Sequence, residues 1–320
     1  MVYGTIPGVA RPVPRIFFGT AVWPLLAGEN PDGLLDGVFA RGIDAFDCAR
    51  SYGRAEEMLG SWMRRRSNRE QVTVLSKCGD IRNGVVKVDR AVITEQLETS
   101  LATLQTDYID IYLLHRDDPD TPVGEIITTL NRAKAEGKIR CFGVSNWTVE
   151  RIREANRFAA ENGLEGFSVS SPNFSLARQM EDLWGGGCVT LSGPEHAGDR
   201  AWYAETGMPV VAYSSLGRGF FSGKFRSGDT EGAARVLDAY AQKGYLYPEN
   251  MLLLKKAEAL AEKYGETVPE IAVRYVFSHP MNVFAVISTT KPERLDSSIR
   301  AAAEPLPAAE TAWLDDDSLD

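Results

Sequence analysis

The chain has 320 residues, a formal net charge of −9, 44% hydrophobic and 25% charged residues, the composition of a globular protein with a sizeable core. The acidic balance argues against a nucleic-acid or anionic-membrane surface. No apolar stretch approaches ~18 residues and no basic segment leads into one, so a cytoplasmic protein is expected.

In chain order, β-rich apolar runs fall at 15–19, 43–47, 72–77, 109–115, 140–145, 167–171, 209–214 and 283–288. Helical patterns lie between them, near 31–40, 54–66, 89–105, 122–137, 147–162, 195–206 and 249–278, with another near 291–302. Strands alternating with helices imply right-handed βαβ units and a parallel sheet. Eight units read most simply as an α/β fold, a single (β/α)8 TIM barrel domain over 1–320. A doubly wound open sheet would carry GxGxxG after its first strand, and FFGTAVW stands there instead. Residues 172–194 and 215–248 break the rhythm after strands six and seven. Loops this long should overhang the C-terminal rim and cover cofactor and substrate. The tail PLPAAETAWLDDDSLD reads as a last amphipathic turn or helix with Trp313 and Leu314 docked.

The segment GIDAFDCARSYGRAEEMLG carries the strongest chemical signal. Asp47 ends the second strand, Tyr52 follows in the loop, and a helix begins near Arg54 with Met58, Leu59, Trp62 and Met63 on one face. A buried carboxylate needs a cation. Lys77 at the end of the third strand supplies one, and His115 ends the fourth. Singly, these residues fit a structural ion pair, a buried histidine and a rim aromatic. Together, on neighbouring strand ends, they fit a general acid: the lysine should lower the tyrosine pKa, Asp47 should hold the lysine charged, and His115 should orient a carbonyl as a second donor. Four cysteines (Cys48, Cys78, Cys141 and Cys188) lack CxxC or Cys/His spacing, so reduced thiols and no metal site are expected.

Asp, Tyr, Lys and His in this order, the first two inside GxxxxDxAxxYG, resemble the catalytic tetrad of the aldo-keto reductases. YSSLGRGFFSGK resembles that family's loop after strand seven, GVSNW its nicotinamide-binding pair, and STTKPER its closing cofactor segment. The resemblance implies catalysis by Asp47, Tyr52, Lys77 and His115. It implies cofactor contacts from Gly19, Thr20, Ser145, Asn146, Ser171, Tyr213, Ser214, Leu216, Gly219, Ser288, Thr289, Lys291, Arg294 and Ser298. Thr289 or Thr290 should cap the last helix, where Pro292 helps it start. The family's glutamine on strand six is here Ser171, its proline pair after strand eight is Ile287-Ser288, and its adenine-binding asparagine is Ser298.

Arg294 stands where family members with arginine bind a 2′-phosphate, which implies NADPH. Trp23, Trp147, Phe220 and Phe221 are expected to wall the pocket. The reading is thus an NADPH-dependent oxidoreductase that reduces an aldehyde or ketone to an alcohol by hydride transfer, with Tyr52 as general acid. Keto-sugars and natural-product carbonyls both suit large amphipathic rings. The alternatives are a Schiff-base lyase using Lys77 and a cofactor-sensing regulatory or binding subunit. Oligomeric state is not legible.

Overall fold

The computed structural model describes residues 1–81 and 84–316. It begins with a small antiparallel hairpin, β1 (Tyr3–Gly4) and β2 (Val13–Pro14). Eight strands follow: β3 (Ile16–Gly19), β4 (Ala45–Asp47), β5 (Thr73–Cys78), β6 (Ile109–Leu114), β7 (Ile139–Ser145), β8 (Ser170–Ser171), β9 (Val210–Ala212) and β10 (Val283–Ile287). They pair in parallel in chain order, and β10 closes on β3 to complete a barrel. The eight sequence-predicted strands and the surrounding helices are borne out as a (β/α)8 fold.

Strand alternation divides the apolar residues into two cores. Phe17, Ala45, Leu75, Ile111, Leu113, Val169, Val211 and Val286 fill the barrel interior. Phe18, Phe46, Val74, Tyr112 and Phe142 face outward into the larger core shared with the helices. The hairpin closes the barrel's lower end, because Ile6 and Val13 belong to the interior cluster. Its two-residue strands are too short to leave a periodic signal in the sequence.

Other departures have local causes. The predicted helix over 249–278 is two, Pro248–Tyr264 and Val268–Phe277. Gly265 caps the first in the left-handed region (φ +66°), and Thr267 opens the second through a capping box with Glu270. The loop after β9 contains helices Thr230–Val236 and Ala239–Tyr245, so it is less irregular than expected. Lys291, rather than Thr289 or Thr290, occupies the cap position of the turn Pro292–Arg294, which leads into Leu295–Ala301. The tail forms Ala308–Asp315, with Leu314 buried and Trp313 half-buried.

Candidate active site

The site follows from carrying the inward register two residues beyond the barrel interior. Gly19, Asp47, Lys77, His115, Ser171, Tyr213 and Ser288 each stand two residues after an interior residue (Phe17, Ala45, Leu75, Leu113, Val169, Val211 and Val286). Ser145 stands four after interior Cys141. Each strand thus delivers one residue to the C-terminal mouth. Cross-strand register staggers them: Asp47 pairs with Leu75, Lys77 with Leu113, and Leu113 with Gly143. The tilt of barrel strands produces such a stagger.

Tyr52 reaches the ring from the turn after β4. Gly53 makes that turn possible at φ +52°, where a Cβ would lie 2.7 Å from the Leu26 carbonyl oxygen. The helix Ala55–Arg66 follows, with Glu56 buried against Arg50 and Ser76.

Lys77 Nζ donates to Asp47 Oδ1 at 2.5 Å, to the Cys48 carbonyl at 2.9 Å and to the Tyr52 hydroxyl at 3.4 Å. Three donors meet three acceptors, so the geometry is that of a saturated ammonium. Burial alone would lower the Lys77 pKa, but Asp47 and Tyr52 outweigh it and raise it above the ordinary lysine range. Burial raises the Asp47 carboxyl, opposed by Lys77. Lys77 acts to lower the Tyr52 pKa, as expected, but burial outweighs the ammonium and the net effect pushes the phenol up to about 12. His115 lies edge-on to Tyr52, ring centroids 5.8 Å apart. Burial, together with Lys77 and Arg116, lowers its pKa to about 3 against the pull of Asp80, so the imidazole is neutral near pH 7.

The tetrad opens into a cleft of about 2130 Å³ that runs along the mouth to β10 and the helix after it. This exceeds the roughly 300–1,000 Å³ typical of a small-ligand pocket and gives room for a dinucleotide with a substrate. Gly19, Ser145, Asn146, Tyr213, Ser214, Leu216, Gly219, Ser288, Thr289, Arg294, Ser298 and Trp23 all line it. Arg294 has no carboxylate partner among the described residues, and exposed Lys224 also borders the cleft. Open cations, hydroxyls and Cβ-free backbone at one arm fit the phosphates of a nicotinamide dinucleotide.

Several expected residues are elsewhere. Thr20 is buried and donates to the Asp47 carbonyl, bracing β4 rather than facing the cleft. Ser171 keeps its hydroxyl buried without a partner, while its carbonyl accepts from Ser145 Oγ at 2.7 Å. Lys291 is exposed outside the lining. Trp147 is 1% exposed and packs on Phe167, because the left-handed Asn146 (φ +61°) turns the chain inward there. Phe220 and Phe221 are buried by a turn that returns the Phe221 N–H to the Leu216 carbonyl. Asn146 uses its whole amide on protein: Nδ2 donates to the His115 carbonyl and Ser145 Oγ, and Oδ1 accepts from Val189 N and the Tyr213 hydroxyl.

The cleft also contains Ser51, Asp80, Arg116, Trp184, Arg218 and Tyr240, which the sequence reading did not single out. Asp80 and Arg116 could have been found by asking which charged residues come next after Lys77 and His115. Arg218 lies between the Trp184 and Tyr240 rings, 5.6 and 5.3 Å from their centroids, and pairs with Asp238 at 2.9 Å. It joins the loops after β8 and β9. All four cysteines are free, and burial pushes the thiols of Cys48, Cys78 and Cys141 up to about 12. Among the described residues, no His/Cys/Asp/Glu group could hold a metal, and no helix is long and apolar enough to cross a membrane.

The profile of the aldo/keto reductase family matches residues 15–316. The chain is 31% identical over 265 residues to the aldo-keto reductase YhdN of Bacillus subtilis, covering 80% of this chain and 74% of that one. It is 29% identical over 283 residues to the NADH-specific methylglyoxal reductase of Escherichia coli, covering 81% and 78%. Over 302 residues it is 26% identical to the aldo-keto reductase yakc [NADP(+)] of Schizosaccharomyces pombe, covering 90% and 84%. A barrel whose mouth carries this tetrad, matched by that profile over nearly its whole length, belongs to the aldo/keto reductase family of oxidoreductases.

Proposed function

We propose that the protein reduces an aldehyde or ketone to an alcohol with NADPH, using Tyr52 as the general acid. The observation that carries this reading is the saturated Lys77 ammonium, held by Asp47 and aimed at the Tyr52 hydroxyl on the wall of the cleft. NADPH, when bound, supplies a hydride to the carbonyl carbon. Tyr52 is fully protonated at neutral pH and gives its proton to the carbonyl oxygen as that oxygen gains charge. Lys77 then stabilises the phenolate left behind, and Asp47 keeps the ammonium in place. Tyr213, Ser145 and Asn146 would hold the nicotinamide end, and Lys224, Ser288, Thr289, Arg294 and Ser298 would hold the phosphate end.

The same ammonium disfavours imine chemistry, which needs a neutral lysine. The complete Asp47–Lys77–Tyr52 arrangement favours turnover over cofactor sensing. The choice of NADPH rests on Arg294, whose guanidinium is free of carboxylates among the described residues and suits a 2′-phosphate. Tyr52→Phe tests the assignment. Reduction, read as NADPH oxidation at 340 nm over a panel of carbonyl compounds, should fall ~10²–10⁴-fold, while NADPH still quenches tryptophan fluorescence. Wild-type turnover by this variant would refute the acid role.

A further inference from the structure

Glu56 is completely buried beside the tetrad, at 0% exposure, and the proton transfer described above makes no use of it. It stands in the first turn of the helix Ala55–Arg66, where the positive end of the helix dipole favours an acid. Its Oε2 accepts from Arg50 Nη1 at 2.5 Å and its Oε1 from Ser76 Oγ at 2.7 Å. A buried ion pair is seldom more stabilising than well-packed apolar side chains, because both ions give up their water. What such a pair can supply is a single fixed arrangement of the segments it joins.

Here the joined segments are those that carry the acid and its cation. Arg50 and Glu56 flank Tyr52, so their contact closes residues 50–56 on themselves with Tyr52 inside the turn. Ser76 immediately precedes Lys77 on β5, and strand side chains alternate, so Ser76 meets Glu56 on the outer face while Lys77 faces the mouth. Ahead of Tyr52 the backbone already ties the turn to β5: Cys48 N–H donates to the Leu75 carbonyl at 2.8 Å and Arg50 N–H to the Lys77 carbonyl at 2.9 Å. Beyond Tyr52, the bond from Ser76 to Glu56 makes that tie. The contact it would guard is delicate. Lys77 Nζ and the Tyr52 hydroxyl are 3.4 Å apart, at the long end of a hydrogen bond, where a small shift breaks it. Glu56 does not line the cleft.

We propose that Glu56 is a positioning residue for the reduction: its carboxylate clamps the Tyr52 turn to the strand of Lys77 and so holds the phenol at the ammonium. The inference rests on the reductase reading above. Glu56 touches neither substrate nor cofactor and acts only through Tyr52. With the clamp released, the phenolate left after proton transfer stands away from the cation that stabilises it, so the chemical step slows while binding is unaffected.

Glu56→Gln turns one of the two acceptors into a donor, and Ser76→Ala removes the strand anchor at the cost of one oxygen atom. With rates taken well below each melting temperature, Glu56→Gln should lower kcat about ten- to hundredfold, the scale of a small misplacement of a reacting group. Ser76→Ala should lower it about two- to tenfold, the scale of one hydrogen bond. KM and the NADPH quench of tryptophan fluorescence should not change. In a Tyr52→Phe background, which has no phenol to position, neither change should lower the residual rate further. A general loosening of the fold would lower it again. One readout needs no turnover: in protein labelled with 3-fluorotyrosine, the ¹⁹F line assigned to Tyr52 by its loss in Tyr52→Phe should shift in both variants. If Glu56→Gln does not fold, Ser76→Ala carries the same comparisons. Wild-type kcat in the folded variants, equal losses with and without the phenol, or an unmoved Tyr52 line each overturns the proposal. If the wild type reduces no carbonyl compound, the reductase reading falls, while the ¹⁹F spectra still decide whether Glu56 holds Tyr52 in place.

Discussion

Replacing Asp47 by alanine would leave the Lys77 ammonium, only 2% exposed, with a carbonyl and a phenol as its partners. Breaking a buried pair from one side costs about 3–5 kcal/mol, because a charge stays buried without its counter-ion. Unfolding entropy of about 2.1 cal/mol/K per residue, taken over the whole chain, is about 0.7 kcal/mol/K. The loss should therefore appear as a Tm lower by about 4–8 °C in a circular-dichroism melt at pH 7. Lys77→Met, which strands the carboxylate, should behave alike. The double variant Asp47→Ala/Lys77→Met buries no charge and should recover most of the loss. The pH dependence has a definite sign. The folded Lys77 pKa lies above its unfolded value, so the stability it contributes is complete below about pH 10.4 and is lost as pH rises further. All three variants should be inactive in reduction. A double variant whose Tm falls by the sum of the two single losses would show that the residues do not act as a pair.

Arg294→Ala should weaken NADPH binding by roughly one to two powers of ten, the scale of a charge-assisted contact, and leave NADH binding unchanged; equal losses in fluorescence titrations of both cofactors would deny Arg294 the 2′-phosphate. His115, with its folded pKa near 3, stays neutral where the unfolded chain takes up a proton, so stability should fall as pH drops from about 6.5 toward 3. His115→Gln should make that decline shallower in urea melts at pH 7 and 4.5, and parallel profiles would contradict it. Gly53→Ala forces a Cβ to 2.7 Å from the Leu26 carbonyl at a positive φ, so a loss of about 1–3 kcal/mol with reduced kcat is expected. Unchanged Tm and turnover would show that this turn does not position Tyr52.

The tetrad was legible because barrel chemistry stands at strand ends and strand ends carry a two-residue period. Once Ala45, Leu75 and Leu113 are read as interior, Asp47, Lys77 and His115 follow by counting. Direction after the strand ends was not legible. Trp147 lies beyond a left-handed Asn146 that sends it into the core, and aromatic character alone does not distinguish a pocket wall from a buried anchor. Phe220 and Phe221 misled for the same reason. The Tyr52 proton affinity was misjudged because a sequence displays the neighbouring charge of Lys77 but not the burial that outweighs it. By contrast, the break within 249–278 was present in the sequence, as Gly265 followed by Thr267 and Glu270.

The arginine clasp on the rim constrains how this enzyme can be re-engineered. Arg218 belongs to the segment after β9, Trp184 to the segment after β8, and one guanidinium holds Trp184, Tyr240 and Asp238 together. Grafting either segment alone from a relative would remove half of the clasp and leave an unpaired cation or bare aromatic faces at the cleft. Chimeras should therefore exchange the two segments as one module, with the eight-strand frame and its ring of inward residues kept intact.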